Sequence, residues 1–359
     1  MRKEAKIRQN VETAYIQGYH ANSGANWHDS ESYAFAGFCE LLYFNSDRKL
    51  KLKELPDGTM GFVVRDGEDP KPLQGYGLEI ETECSSILYY DVLAEVMQKV
   101  IFPNFKFGKQ MFKMQEDGSL GGETSVEVIT QVMTKGRIRN DYAAYQTMFD
   151  KYFPRLGITA NARSTSCGMH VNISNAVFGD TKAEQDEAIR KFYYAINRHY
   201  RFMCKLFCRP EDKTEWCAEM TQEHLESQYY FSDEHAAENY AWPNAMHIDL
   251  NGPVPTAHSN CVNLAHYKAG RIELRLVGGQ DSYVRFRNTM ECVFHLTENI
   301  RKVRWADLDD LTKLFKGCNN YVVKRLRECV GIGGFTAEMW NNLYLHAKHE
   351  DFELHGLYD

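Results

Sequence analysis

The chain has 359 residues, with 42 Lys+Arg against 49 Asp+Glu and a formal charge of −7. That is about two domains' worth of chain at roughly 150 residues each, or one large sheet-based domain. An apolar fraction of 43%, with 21 Tyr and 20 Phe, argues against disorder, and the acidic balance argues against a general nucleic-acid binder, which needs clustered Lys and Arg.

The N-terminus, MRKEAKIRQN, is charged and has no apolar run behind it, so no secretory signal is expected. No apolar stretch approaches the ~20 residues that span a bilayer, so no membrane partner is expected. The ten cysteines are scattered without a Cys-x-x-Cys pair and read as reduced thiols of a cytoplasmic protein. Cys204, Cys208 and His199 lack a regularly spaced fourth zinc ligand.

Residues 1–70 form an N-terminal extension. It opens with an amphipathic helix to about Ile16 and a Gly/Asn/Ser-rich loop. An aromatic segment from Tyr33 to Phe44 follows, whose type the pattern leaves open. Next comes a hairpin of 51–55 and 60–64, joined by Pro56-Asp57-Gly58-Thr59. Residues 66–72 read as a linker. A main domain then spans 71–305, alternating strands at 77–83, 125–130, 167–174, 261–265 and 271–277 with helices at 88–101, 137–152, 182–207 and 288–304. A helical C-terminal segment, 306–359, carries helices at 307–315, 319–329 and 337–349, broken by a Gly331-Ile332-Gly333-Gly334 turn.

Four strands share a pattern of period two. Leu78 and Ile80 oppose Glu79, Glu81 and Glu83; Val126 and Val128 oppose Ser125 and Glu127. Met169, Val171 and Ile173 oppose His170, Asn172 and Ser174; Ile272, Leu274 and Leu276 oppose Glu273 and Arg275. One apolar and one polar face per strand predicts an α+β fold, mainly an antiparallel sheet with helices over one face and an open polar face. A merely solvated polar face is the ordinary alternative for any one strand. Together the four offer Glu, His, Asn and Arg without Lys, and neighbouring carboxylates would repel by about 1–4 kcal/mol per pair. Such a face calls for a cation, and oxygen ligands with one imidazole suit Mg²⁺ or Mn²⁺. Arg275 beside Glu273 suits a phosphoryl group. With neither a P-loop nor a dinucleotide fingerprint, a nucleotide would be held through metal and Arg.

These motifs, in this order, resemble the amidoligase family of carboxylate–amine ligases, within the glutamine synthetase and glutamate–cysteine ligase superfamily. The resemblance rests on Gly77-Leu78-Glu79-Ile80-Glu81, on Glu116-Asp117-Gly118-Ser119-Leu120 leading into Glu127-Val128-Ile129-Thr130, on Cys167-Gly168-Met169-His170-Val171, and on Asn263 with Ile272-Glu273-Leu274-Arg275. It covers roughly residues 75–300. The chain departs from the family at Asn172, where a second His is frequent, and at Gln131, where a Pro is frequent. Asn172 is a weaker metal ligand but still bonds a phosphate or a water.

The resemblance implies ATP- and Mg²⁺-dependent joining of a carboxylate to an amine acceptor through an acyl phosphate. ATP, a substrate carboxylate and four glutamates carry about nine negative charges, which two or three divalent ions and Arg275 would nearly balance. Glu79, Glu81, Glu127, Glu273 and His170 are then the expected metal ligands. Arg275, His170 and Glu273 are the expected catalytic residues, and Arg275, Arg209, Asn172 and Asn263 the expected cofactor contacts. For Arg209 the ordinary alternative is a solvated helix-end arginine; Asp117 and Ser119 read as turn residues and Cys167 as a small packing residue. Rival readings are a guanidino-type kinase on the same sheet, a metal-dependent hydrolase, and a non-catalytic protein retaining the fold. The acid, the amine and the oligomeric state are not written in the sequence.

Overall fold

Apolar–polar alternation resolves, in a computed structural model, into a six-stranded antiparallel sheet. Described are residues 75–84, 93, 125–130, 133–160, 167–210, 217–220, 248, 250, 254 and 259–349, together with the backbone of 51–54, 60–63, 71–72 and 112–116. The expected opening helix, the aromatic segment, the Gln131 departure and all but Leu93 of the 88–101 helix lie outside these residues.

Three short strands, β1 (Lys51–Glu54), β2 (Met60–Val63) and β3 (Lys71–Pro72), make a separate small antiparallel sheet in the order β1-β2-β3. The first two are the expected hairpin. The third corrects the linker reading, because Lys71 and Pro72 pair with Phe62 and Gly61. A Pro at the end of an edge strand gives up no ladder bond the sheet needs.

The main sheet contains β4 (Tyr76–Glu83), β5 (Phe112–Glu116), β6 (Ser125–Thr130), β7 (Met169–Ser174), β8 (Val262–Asn263) and β9 (Arg271–Leu274), in the order β5-β6-β4-β7-β9-β8. All five pairings are antiparallel. Strand β5 has no counterpart among the expected strands; it pairs with β6 along the whole of Phe112–Glu116. Leu78, Ile80, Val126, Val128, Met169, Val171, Ile173, Ile272 and Leu274 are fully buried on the sheet's apolar face. Thr82, on the same face, satisfies its hydroxyl by donating to the Val126 carbonyl at 2.7 Å.

Helices supply the other side of that core. Residues 135–156 run as α1 (Lys135–Asn140), α2 (Tyr142–Thr147), a π turn (Met148–Tyr152) and α3 (Phe153–Leu156). The single helix expected there widens where Pro154 cannot donate to the preceding turn. The expected 182–207 helix is two, α4 (Lys182–Arg198) and α5 (Tyr200–Leu206). The break falls at His199, whose Nε2 lies 2.8 Å from the Leu308 carbonyl. Thr181 and Glu184 close a reciprocal capping box on α4.

The central helix, α6 (Tyr283–Asn299), starts five residues earlier than its periodicity indicated, under a Ser282 cap. It is buried on most sides. Phe294 packs edge-on against Tyr76 at 4.8 Å, and Thr297 Oγ1 meets the Tyr76 hydroxyl at 2.8 Å. Nearer its N-terminus Phe286 meets Tyr145 and Phe149 at 4.5 and 5.1 Å. Then follow α7 (Leu311–Leu314), α8 (Asn320–Arg327) and α9 (Ala337–Leu345). Helix α8 packs on α6, and Arg325 Nε donates to the Leu206 carbonyl at 2.7 Å. The same hydrophobic core runs from Tyr76 to Leu343. No helix among the described residues is long and apolar enough to cross a membrane.

Candidate metal and phosphoryl site

The strand register places the expected polar side chains together on the face opposite the core. Glu81 lies directly across from Glu127, and Glu79 from His170. Asn172 lies across from Glu273 on one side, and Asn263 across from Glu273 on the other. Directly opposed residues have Cβ atoms about 4.5–5.5 Å apart, so the four glutamates and the imidazole form one cluster.

His170 is its hub and is only 4% exposed. Its Nδ1 lies 3.3 Å from Glu79 Oε2 and 3.3 Å from Glu273 Oε1, and its Nε2 lies 3.1 Å from Glu81 Oε1. Burial disfavours an imidazolium, but the Glu81 charge and the bonds to Glu79 and Glu81 outweigh burial and the repulsion of Arg275. The pKa is pushed up to about 9. The carboxylates respond in the opposite sense. Burial would raise Glu79, yet the hydrogen bond and charge of His170, with Asn172 and Arg275, hold it below the usual carboxylate range. Glu81 is likewise held low against burial, by His170, Arg209 and the Gly168 N–H.

Glu79, Glu127 and His170 bring one ligand atom each within 4.8 Å of one another. Both carboxylates are only half buried, so this is the open edge of the cluster. Two oxygens and one imidazole nitrogen are a donor set that suits Mn²⁺ or Mg²⁺, with room for waters or substrate oxygens. Glu81 and Glu273 touch the same imidazole but are buried and tied inward. The Gly168 N–H donates to Glu81, and Glu273 accepts from Arg275 Nη1 at 2.7 Å and from Asn263 Nδ2 at 3.2 Å.

The two asparagines expected to contact a cofactor are engaged with carboxylates. Asn172 Nδ2 donates to Glu79 Oε1 at 2.8 Å, and Asn263 Oδ1 accepts the Ala265 N–H at 2.8 Å. They orient the glutamates whatever else they meet. Arg209 is not the solvated helix-end residue of the ordinary reading. It is buried, and its Nη2 donates to the carbonyls of Arg275 and Val277 at 3.0 and 2.8 Å. Its guanidinium thus braces the segment after β9 while adding positive charge beside Glu81.

Two glycines that sequence reasoning did not single out make this packing feasible. A Cβ on Gly168 would stand 2.5 Å from Arg209 Nη2 and 3.1 Å from Glu81 Oε2. A Cβ on Gly278 would overlap the backbone of Cys208, the one described non-glycine residue with positive φ. The signal available in the sequence was a Gly directly after each of Cys167 and Val277, at the ends of two polar-faced strands. Cys167 itself is buried, while Cys204, Cys208 and His199 form no metal-ligating group among the described residues.

Comparison of the chain with protein-family models and with curated proteins found no match.

Proposed function

We propose that this chain is an ATP- and Mg²⁺-dependent carboxylate–amine ligase that works through an acyl phosphate. The observation that supports the reading is the convergence of Glu79, Glu81, Glu127 and Glu273 on His170, with Arg275 against Glu273, on one open sheet face. Glu79, Glu127 and His170 would hold a divalent ion at the open edge, with Glu81 and Glu273 contributing charge behind them. A bound Mg²⁺ or Mn²⁺ would neutralise phosphate charge and polarise the γ-phosphoryl group.

The protein's own part is positioning and charge. Arg275 is fixed by Glu273 at 2.7 Å, and its guanidinium would meet phosphoryl oxygens there. Arg209 fixes the carbonyls of Arg275 and Val277, so the strand end that carries Arg275 does not yield as charge develops. Asn172 and Asn263 keep Glu79 and Glu273 in register. In the first step a substrate carboxylate oxygen attacks the γ-phosphorus and ADP leaves. In the second an amine attacks the acyl carbon, and phosphate departs with the amine's proton as hydrogen phosphate.

The test is product analysis with ¹⁸O-labelled carboxylates, a panel of amines, ATP and Mg²⁺. The ligase yields a product lighter than acid plus amine by one water and moves ¹⁸O into phosphate. A stable phosphorylated guanidine would assign a kinase instead, and unlabelled phosphate would remove the acyl phosphate.

A further inference from the structure

Away from the glutamate face, the C-terminal half of α6, the start of α1 and residues 316–319 and 348 enclose a cleft of about 140 Å³. Its lining carries Lys135, Arg139, Lys302, Lys316 and Lys348 against only Glu291 and Glu298. Both acids are already matched: Arg139 binds Glu291 through two nitrogens, and Lys135 meets Glu298 at 2.8 Å. Three lysines therefore face the cleft with no ion pair among the described residues, in a chain whose net charge is −7. Like charges gathered at one mouth repel one another, and an anion seated between them reverses the sign of that energy.

The inner wall adds a specific feature. His295 is stacked on Phe315 at 5.9 Å, and its ring hydrogen bond goes to the Leu314 backbone. That leaves Nε2 buried without a hydrogen-bond partner among the described residues. Burial, with Lys135, Lys348 and Lys302 nearby, pushes the imidazole down to about 4, so at neutral pH Nε2 is a bare acceptor. An acceptor behind three ammonium groups asks for an anion that also carries an O–H.

We propose that this cleft is a binding site for hydrogen phosphate, with Lys302, Lys316 and Lys348 on the oxygens and His295 Nε2 accepting from the P–OH. Hydrogen phosphate has both the charge and the donor; sulfate has the charge alone. The inference stands on the cleft and does not depend on the ligase reading.

The experiment titrates inorganic phosphate into the full chain at pH 8 with EDTA present, so that no metal on the glutamate face can recruit the anion. Binding is read by calorimetry and by ³¹P line width. Wild type is compared with the triple variant Lys302→Gln, Lys316→Gln, Lys348→Gln and with Lys313→Gln, an exposed lysine outside the cleft. The proposal expects saturable phosphate binding, roughly tenfold or more weaker in the triple variant and unchanged in Lys313→Gln. Sulfate and the dianionic monoester of phosphoserine, both lacking the O–H, should bind roughly tenfold or more weakly than phosphate. No saturable binding at about 10 mM phosphate, equal binding in wild type and the triple variant, or sulfate binding as tightly as phosphate would each overturn it.

Discussion

His170 Nε2 faces Glu81 Oε1 at 3.1 Å in a buried setting, so the imidazolium serves as the internal counter-ion of the glutamate cluster. The consequence for stability has a definite sign. The folded pKa of about 9 exceeds the ordinary value of 6.5, so the contribution is fully present below pH 6.5 and is lost as pH rises through 9. In metal-free buffer that loss should be about 3 kcal/mol. Chemical denaturation from pH 6 to 10 checks it, and His170→Gln should flatten that part of the profile.

Metal binding should run the other way with pH. A ligating imidazole must be neutral, so ion entry at Glu79, Glu127 and His170 releases the His170 proton. Mn²⁺ affinity should rise about tenfold per pH unit from 7 until it levels off near 9. Paramagnetic resonance titrations of free Mn²⁺ measure this directly. In Glu127→Gln the affinity should fall roughly tenfold or more.

Substitutions at the two glycines should differ in severity. In Gly278→Ala the new methyl meets the Cys208 backbone, which cannot swing aside, and a cost of about 2–3 kcal/mol is expected. In Gly168→Ala the nearest atom is the end of the Arg209 side chain, so the cost should be nearer 1 kcal/mol. Displacing Arg209 from the carbonyls of Arg275 and Val277 should nonetheless impair turnover. Thermal melts and activity on the two variants separate the effects.

A second buried carboxylate carries a structural load. Glu291 is 1% exposed and accepts from Arg139, from the Tyr142 hydroxyl at 2.6 Å and from Asn319 Nδ2 at 2.8 Å. Glu291→Ala removes the buried acceptor that Arg139, Tyr142 and Asn319 share and should cost about 3–5 kcal/mol. Glu298→Ala, which removes only the exposed pair with Lys135, should cost less than about 1 kcal/mol.

Much of the glutamate face was legible because alternation in a strand is a local property. Glu79, Glu81, His170 and Glu273 could be put on one side of their strands from spacing alone, and the register then made them neighbours. Strand β5 escaped because Phe112-Lys113-Met114-Gln115-Glu116 is short and is followed by Asp117-Gly118-Ser119, whose composition reads as a turn in the sequence. The break at His199 was hidden for another reason: the carbonyl its ring meets there belongs to Leu308, more than a hundred residues away. Burial of Arg209 and the engagement of Asn172 and Asn263 are also tertiary facts, since a side chain's partner is decided by which strands lie beside it. The first helical turn of α6 was missed because Arg285 and Arg287 dilute its apolar period, whereas the Ser282 cap was there to be read.

ATP chemistry on the glutamate face is measured by ADP release with a panel of acids and amines, with and without Mg²⁺. Wild type should turn over ATP to ADP repeatedly only when an acid, an amine and Mg²⁺ are all present, with about one equivalent of ADP per chain at most when the amine is left out. Arg275→Ala and Glu127→Gln should release none while keeping the wild-type circular dichroism spectrum. Release from those variants at the wild-type rate, or no release by wild type with any pair and no heat on titration with Mg–ATP, would mean that the glutamate face does not carry ATP chemistry.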